Sequence, residues 1–306
     1  MKLNMIHLVG ILYATIFGFT FMFSKVALEH VRPIGLIAYR FLIAFICLET
    51  LRLLKVFRVS INRGNFLALF WVAFFQPVLY FLFETYGILR TTSGEAGMMI
   101  ALIPIFVTIL SSMIIKERPR MIQVLCILLS VSGVLFIQLM KSTTGIDLAF
   151  VGLALLLGAV ISAALFNIAS RSASKKVKPH ELTYFMMLFG AIVFNIMYLI
   201  QLGIEDQISS YVTTLYHIEL LIPILYLGII ASIGGFFLVN FALSKVPAHV
   251  SSIYANLSTI VAILAGAFIL KEQLYYYHFI GGLMIIIGVY GTVRFNHLLD
   301  AKRVKV

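Results

Sequence analysis

The sequence predicts an all-α integral membrane protein with ten transmembrane helices, arranged as two inverted five-helix repeats. Three observations predict this fold: the apolar composition, the number and length of the apolar segments, and an internal repeat. Of 306 residues, 62% are hydrophobic and only 11% are charged, and the mean hydropathy is +1.07. A soluble domain is nearer half apolar and a quarter charged. The composition therefore excludes a water-soluble fold.

Ten apolar segments are long enough to cross the hydrocarbon core of a bilayer, which takes about 20 apolar residues in a helix. They cover residues 6–27, 34–54, 65–88, 95–115, 121–140, 148–170, 181–203, 220–242, 249–270 and 276–296. Most connections are short, as expected for neighbouring antiparallel helices. The exception is the acidic connection EDQISSYVTTLYHIE between the seventh and eighth segments.

The distribution of Lys and Arg predicts the orientation in the membrane. With the N-terminus inside, 17 of the 23 Lys and Arg residues lie in cytoplasmic segments, as the positive-inside rule requires. We therefore expect a protein of the cytoplasmic (inner) membrane with both termini in the cytoplasm. The net charge of +11 indicates contact with anionic lipid and not with nucleic acid, because the basic residues lie in loops between spans.

The chain also repeats itself. Shifted by 155 residues, the third to fifth segments overlie the eighth to tenth, and Lys116 meets Lys271. Shifted by 146 residues, the first two segments overlie the sixth and seventh, and Lys25 meets Arg171. Each unit has five spans, and because five is odd the second unit enters the membrane from the opposite side. Inverted repeats of this kind are typical of secondary transporters.

Four segments resemble a known family: FGFTFMFSK (17–25), RPIGLIAYRFLIA (32–44), GILRTTSGEAGMMIALIPIFVTILSSMIIKERP (87–119) and ALSKVPAHVSSIYANLSTIVAILAGAFILKEQL (242–274). They are similar to the EamA family of the drug/metabolite transporter superfamily. The resemblance covers essentially the whole chain and divides it into EamA-like repeats at residues 1–145 and 146–306. It implies transport of small metabolites, amino acids or drugs, often outward. It also implies a path lined by the first, third, fourth, sixth, eighth and ninth helices.

Together these observations predict a secondary transporter that moves small organic metabolites, such as amino acids, amides or related compounds, by alternating access. Export is favoured over import, and the driving force is either the substrate gradient or proton exchange. The alternative is a non-transporting scaffold or sensor on the same fold. A central cavity would favour transport, and a tightly packed midplane would favour the scaffold.

Signals of enzymatic chemistry are absent from the sequence. It has no Gly-rich phosphate loop, no nucleophile motif and no His, Cys or Asp spacing typical of a metal site. We therefore predict no enzyme, no cofactor and no metal. The oligomeric state is left open, since Gly288-x-x-Gly291 fits either internal helix packing or a dimer face.

Polar residues inside membrane spans are costly and therefore mark candidate sites. Arg40 and Glu84 lie at similar predicted depths, which suggests that they pair. The interpretations left open are a structural ion pair or a snorkelled Arg40, and a substrate or proton site in which Glu84 changes partners. Uncharged polar groups near the midplane suit a zwitterion or an amide, and aromatic residues would wall the path. The predicted pathway residues are Thr20, Arg40, Gln76, Tyr80, Glu84, Asn167, Phe236, Asn240, Tyr254 and Asn256.

Two further expectations concern the helices themselves. Pro77 and Pro104 should interrupt the third and fourth spans, because proline lacks the N–H that an α-helix needs. Lys25 and Arg171 end equivalent helices on opposite faces. We expect them to contact either lipid headgroups or helix-terminal carbonyls.

Overall fold

The computed structural model describes residues 2–60, 63–115, 121–140, 146–246, 248–252 and 254–303, and every regular element in them is helical. The charged residues that follow the fourth predicted segment, Lys116 to Arg118, lie outside these residues. The helices that contain the apolar segments are α1 (Lys2–Ala27), α2 (Pro33–Leu53), α3 (Phe66–Ile88), α4 (Ser93–Ile100 and Ile103–Ile115), α5 (Met121–Met140), α6 (Ile146–Ala173), α7 (Pro179–Ile204), α8 (Ile218–Lys245), α9 (Ala248–Ser252 and Ala255–Phe268) and α10 (Tyr276–Arg303). Short helical turns also lie in the connections, at Arg63–Asn65, Ser210–Thr213 and Thr214–Tyr216.

Over the described residues, seven helices are long and apolar enough to cross a membrane, namely α1 to α4 and α6 to α8. The helices α5, α9 and α10 contribute the shorter apolar stretches Val124–Gly133, Leu257–Phe268 and Tyr276–Gly288. The protein is therefore an all-α membrane protein, and the ten predicted segments all fall on helices. In the apolar window of α4, 83% of residues are buried, against 44–50% in the other six. Consequently α4 lies at the centre of the bundle.

Proline positions explain where several helices begin or break. Pro33 and Pro179 open α2 and α7, where the missing N–H leaves no bond unmade. Pro77 interrupts α3 as predicted: Gln76 before it is extended (φ −149°, ψ 110°), and Phe74–Leu79 has π-helical hydrogen bonding. The residue before a proline is excluded from the α region by a steric clash. Similarly, α4 breaks just before Pro104.

Three helix pairs from the two halves of the chain pack antiparallel. In α2 and α7, Gly35 lies against Tyr198, whereas Glu49 accepts a hydrogen bond from Tyr184 (2.7 Å). In α4 and α9, the oxygen of Gly97 accepts from Thr259 (2.7 Å). Near the start of α4, Gly94 lies against Ile263. Residue numbers therefore rise along one helix as they fall along the other.

The pair α5 and α10 packs through small residues. The oxygen of Ile285 accepts a hydrogen bond from the Ser130 hydroxyl (2.9 Å), and Gly133 lies against Gly281. A β-carbon built at Gly288 would lie 2.4 Å from the backbone oxygen of Cys126, so only glycine fits this approach. The Gly288-x-x-Gly291 spacing therefore serves packing inside the bundle, and this decides between the two interpretations that the sequence left open.

Lys25 and Arg171 make equivalent contacts at opposite ends of the bundle. Lys25 Nζ donates to the oxygens of Ile88 (3.1 Å) and Thr91 (2.6 Å) at the carboxyl end of α3. Arg171 donates to the oxygen of Leu243 (2.7 Å) at the carboxyl end of α8. A cation at this end of a helix is favoured by the helix dipole. Of the two predicted partners, lipid headgroups and helix-terminal carbonyls, the structure therefore shows the carbonyls.

An exposed ion pair joins two loops at one end of the bundle. Arg32, before α2, donates to Glu205, after α7. The hydrogen bond from Arg32 holds the pKa of Glu205 below its ordinary value, and the same bond raises the pKa of Arg32. Because the folded-state pKa of Glu205 is lowered, the pair stabilises the fold above the ordinary pKa of a glutamate. That contribution is lost as the pH falls through the lowered pKa.

The charged residues after α9, Lys271 and Glu272, have a structural role. Lys271 adopts a left-handed conformation (φ 56°), and the following Glu272 accepts hydrogen bonds from both the N–H and the hydroxyl of Ser93 (2.8 Å each). It also accepts from the N–H of Gly94 (3.2 Å). The carboxylate therefore caps the N-terminus of α4, where negative charge is favoured.

Substitution of Glu272 by alanine is expected to destabilise the protein by about 1–3 kcal/mol, the range for losing hydrogen bonds to a charged group. The measurement is the apparent Tm in detergent, monitored through the fluorescence of the single tryptophan, Trp71. The control is Glu219→Ala, which removes an exposed carboxylate in the first turn of α8. Equal Tm values for the two variants would contradict the capping role.

Candidate functional site

A cavity lies inside the bundle, between helices from the two halves of the chain. Its lining comes from α1, α2, α3, α4, α6, α8 and α9, and the empty space is about 700 Å³, including the opening. This volume is in the range of small-molecule sites, about 300–1,000 Å³. The lining is mostly apolar and aromatic, with a few polar groups, which is the usual composition of such sites.

Arg40 is a buried cation in the cavity wall, with 3% of its surface exposed. Its Nε donates to the hydroxyl of Ser232 (2.8 Å), which lies in the π-helical part of α8, Tyr226–Gly235. Its guanidinium carbon lies 4.3 Å from the centre of the Phe81 ring, a favourable cation–π distance. The two Nη atoms of Arg40 have no hydrogen-bond partner among the described residues. They are therefore available to a ligand.

Glu84 is the carboxylate in the lining, and it is also 3% exposed. One oxygen accepts a hydrogen bond from Tyr80, one turn earlier on α3 (2.8 Å). The predicted pairing with Arg40 is wrong: the ion pairs within 4.0 Å among the described residues are Arg32–Glu205 and Glu49–Arg52. Ser232 and Phe81 take the place that a carboxylate would occupy beside Arg40. Two opposite charges therefore line one cavity without neutralising each other directly.

Two amides add uncharged polar groups. Gln76 lies at the break in α3, is 8% exposed, and has no hydrogen-bond partner among the described residues. Asn167 on α6 donates to the oxygen of Ala163 (2.8 Å), one turn earlier, which leaves its own carbonyl oxygen unpaired. Both side chains line the cavity.

Aromatic rings form the rest of the wall around Phe236. Its ring centre lies 5.3 Å from that of Phe17, 6.0 Å from Phe81 and 6.2 Å from Phe166. Tyr254 of α9 lies 5.8 Å from Tyr13 of α1, edge to face. These distances are typical of stabilising aromatic pairs.

Eight of the ten predicted pathway residues lie on the cavity: Thr20, Arg40, Gln76, Tyr80, Glu84, Asn167, Phe236 and Tyr254. Asn240 lies elsewhere. It is fully buried between helices, donates to Thr183 (3.0 Å) and accepts from Ser170 (2.8 Å), so that it packs α8 against α6 and α7. Asn256 belongs to α9, but its side chain lies outside the described part of the chain. Substrate contact for any of these residues stays a prediction.

Sequence reasoning missed the polar lining residues Tyr13, Ser251, Ser252 and Ser258, and also Ser232, which accepts the hydrogen bond from Arg40. Tyr13 donates to the backbone oxygen of Ser251 (2.6 Å), which fixes α1 against the start of α9. Tyr13 carries a usable signal, because Tyr13, Phe17 and Thr20 follow the spacing of one helix face. A single serine in an apolar span carries no comparable signal.

Comparison with known proteins identifies the family. Residues 4–139 and 150–294 each match the model described as the EamA-like transporter family. The chain belongs to the EamA-like transporter family. The predicted resemblance is therefore confirmed, and the two matched segments indicate a duplicated unit. As a member of a transporter family, the chain is a multi-pass membrane transporter of a small-molecule substrate in a lipid bilayer, and not an enzyme.

Relatives of this transporter cover nearly its whole length. The uncharacterized transporter YcxC of Bacillus subtilis is 35% identical over 286 residues, covering 94% of this chain and 92% of that protein. A protein of Salmonella typhimurium named probable amino-acid metabolite efflux pump is 24% identical over 295 residues, covering 93% of each. A crystal structure of a protein with 15% identity matches with a TM-score of 0.66 over 99% of both chains, which shows the fold alone.

The position of the cavity in this transporter can be compared with the expected path. The resemblance implied a lining from the first, third, fourth, sixth, eighth and ninth helices, and lining residues come from all six. Arg40 adds α2 to them. Arg40, the cation among the described lining residues, therefore lies on a helix that the expected path omitted.

Proposed function

We propose that this chain is a secondary transporter that carries small organic metabolites, foremost amino acids and their amides, across the cytoplasmic membrane by alternating access, with export favoured. The observation that carries the proposal is that a basic and an acidic side chain, Arg40 and Glu84, line one buried cavity with no ion pair within 4.0 Å between them. The scaffold alternative predicted a tightly packed midplane, and the central cavity favours transport instead.

The chemistry of the cavity suits a zwitterion. The free Nη atoms of Arg40 form a planar donor pair that matches a carboxylate. The free oxygen of Glu84 is an acceptor that matches an ammonium group. Each charge is expensive to keep unpaired in a buried site. A bound amino acid would pair both at once, and the aromatic wall around Phe236 would contact its apolar atoms.

The proposed fold has ten spans in two inverted repeats, residues 1–145 and 146–306. The antiparallel packing of α2 with α7, α4 with α9 and α5 with α10 supports inversion, because equivalent helices of a non-inverted repeat would run in the same direction. The contacts of Lys25 with Ile88 and of Arg171 with Leu243 also support it, since both pairs are equivalent under the repeat. The positive-inside distribution supports cytoplasmic termini.

Transport would follow from rocking of the two repeats around the cavity, which exposes it to each side in turn. The driving force is either the gradient of the substrate or exchange for protons. Glu84 is the group through which protons would exchange, because it is the carboxylate among the lining residues. The name of the Salmonella typhimurium relative, probable amino-acid metabolite efflux pump, supports both the substrate class and the outward direction.

The test is counterflow in proteoliposomes. Vesicles loaded with a millimolar pool of amino acids and amides receive trace labelled members outside, and protein-free vesicles serve as the control. We expect transient accumulation of label for at least one amino acid, because a carrier exchanges internal for external solute. No accumulation of any label, with the protein inserted and folded, would contradict the proposed function.

A further inference from the structure

We propose that Gln76 and Asn167 form a second polar subsite of the cavity, which binds a hydrogen-bonding group at the far end of the substrate. This inference rests on the proposed function. It narrows the substrate class to amino acids whose side chain ends in an amide, a ureido group or a comparable polar group, as against purely aliphatic amino acids.

Gln76 carries the argument because its amide lines the cavity and has no hydrogen-bond partner among the described residues. Only 8% of the surface of Gln76 is exposed, so that the cavity is where a partner can reach the amide. Buried polar groups in proteins nearly always have a partner. The amide of Gln76 is therefore expected to find its partner in the cavity.

Local structure holds the backbone of Gln76 in place. Pro77 forces Gln76 out of the α region, and Gly190 of α7 packs closely on Pro77. Pro77 therefore causes the break in α3, and α7 from the other half of the chain packs against it. Together they fix the backbone position of Gln76. Pre-organised polar groups of this kind give binding sites their specificity.

Asn167 lies at the same level of the bundle as Gln76. The helices α3 and α6 pack antiparallel, with Gly87 against Leu156 and Phe83 against Gly158. Continuing this register along both helices brings Gln76 opposite Asn167. The amide nitrogen of Asn167 is occupied by the oxygen of Ala163, which leaves its carbonyl oxygen as an acceptor. Together the two side chains offer one acceptor and one complete amide, which complements a primary amide.

The second subsite is separated from the charged one along the path. Gln76 precedes Glu84 by eight residues on α3, which corresponds to roughly 12 Å at 1.5 Å per residue. Both residues line the cavity. Tyr80 lies between them on α3 and also lines the cavity. An amino acid of about the length of glutamine, with its charged end at Arg40 and Glu84, would present its terminal amide to Gln76.

The experiment compares two solutes of the same shape. Glutamine and its aliphatic isostere 2-amino-5-methylhexanoate are tested in proteoliposome counterflow with the wild type, Gln76→Met and Asn167→Leu. The matched control is Gln201→Met, because the amide oxygen of Gln201 is also buried and unpartnered but lies on α7, away from the cavity.

We expect the wild type and Gln201→Met to prefer glutamine by at least about 10-fold, since 1.4 kcal/mol is a factor of ten and one lost hydrogen bond in a buried site is of that size. Gln76→Met should transport glutamine more slowly but still carry the isostere, so that the ratio of glutamine counterflow to isostere counterflow approaches one. Asn167→Leu should lower the ratio in the same direction. Continued transport of the isostere reports that each variant is folded.

Two results would overturn the subsite. In the first, the wild type carries both solutes equally well. In the second, Gln76→Met and Asn167→Leu both keep the wild-type ratio. Either result leaves the proposed function standing, because amino acid counterflow would still occur. Absence of counterflow for every solute in the wild type would instead contradict the proposed function, and the subsite with it.

Discussion

Replacement of Arg40 by methionine is expected to reduce amino acid counterflow at least about 30-fold. Loss of one partner from a buried hydrogen-bonded charge pair costs about 2–5 kcal/mol, and each 1.4 kcal/mol is tenfold. Arg40 is the cation on the cavity, and its Nη atoms are free for a substrate carboxylate. The variant should still insert and fold, because methionine keeps an unbranched side chain of similar length beside the ring of Phe81.

Two companion variants separate binding from packing. Ser232→Ala removes only the hydrogen bond to Nε of Arg40, so that we expect a loss of less than about tenfold, the value of one such bond. Arg52→Met is the control, because Arg52 lies on the same helix but pairs with Glu49 away from the cavity. A loss for Arg52→Met as large as that for Arg40→Met would contradict a specific role of Arg40.

Glu84→Gln completes this comparison, since it keeps the shape of the side chain and removes its charge. We expect a similar loss for zwitterionic amino acids and little loss for the corresponding deaminated acids, which have no ammonium group to pair. If protons exchange through Glu84, an imposed pH gradient should drive uptake by the wild type and not by the variant. Wild-type uptake by Glu84→Gln at every pH would contradict a role of this carboxylate.

Lys25→Met and Arg171→Met are expected to shift the equilibrium between the two access states of the transporter in opposite directions. Lys25 holds the carboxyl end of α3, and Arg171 holds the equivalent end of α8. α1 packs antiparallel to α8, since Phe23 contacts Tyr226 and Phe17 contacts Phe236. In contrast, α1 runs parallel to α3, so the two contacts lie at opposite ends of the bundle.

We expect each contact to stabilise the closed arrangement of the helices at its own end of the bundle. Loss of a hydrogen bond to a charged group is worth about 1.5–3 kcal/mol, which corresponds to a change of roughly 10- to 150-fold in the ratio of the two states. Removal of the Lys25 contact should therefore open the end at α3, and removal of the Arg171 contact should open the end at α8. The two effects should be of similar size, because the two contacts are equivalent under the repeat.

Accessibility labelling measures this shift. A single reporter, Ala163→Cys on the cavity wall, is placed in a background in which Cys47 and Cys126 are replaced by serine. Labelling by a membrane-impermeant maleimide is then compared from each side of oriented vesicles. We expect Lys25→Met to increase labelling from one side and Arg171→Met from the other, with Arg171→Lys close to the wild type. Increased labelling from the same side in both variants would contradict the assignment.

Residue-level predictions succeeded where one helix decides the outcome. The breaks at Pro77 and Pro104 were predictable, because proline disrupts its own helix whatever packs against it. The cation at the end of α1 was predictable in kind, since a lysine there has few other uses. In contrast, its acceptors Ile88 and Thr91 are more than 60 residues away in sequence, and only the packed bundle brings them to Lys25.

Predictions failed where the rotation of a helix decides the outcome. Asn240 and Gln76 are both amides inside apolar spans, yet Asn240 faces a neighbouring helix and Gln76 faces the cavity. The expected pairing of Arg40 with Glu84 failed for the same reason, because equal depth does not imply equal orientation. Ser232 lies 192 residues from Arg40 and takes the position beside it.

The sequence by itself determined that this chain is a helical membrane protein, that its apolar segments are repeated, and that it belongs to the EamA-like family. These properties depend on the composition and order of residues along the chain, so they are readable without coordinates. Only the tertiary structure decided which polar side chains share the cavity. Tyr13 and Ser251, for example, meet across 238 residues. Such contacts depend on the register and rotation of packed helices, which follow from the sum of many small interactions over the whole bundle.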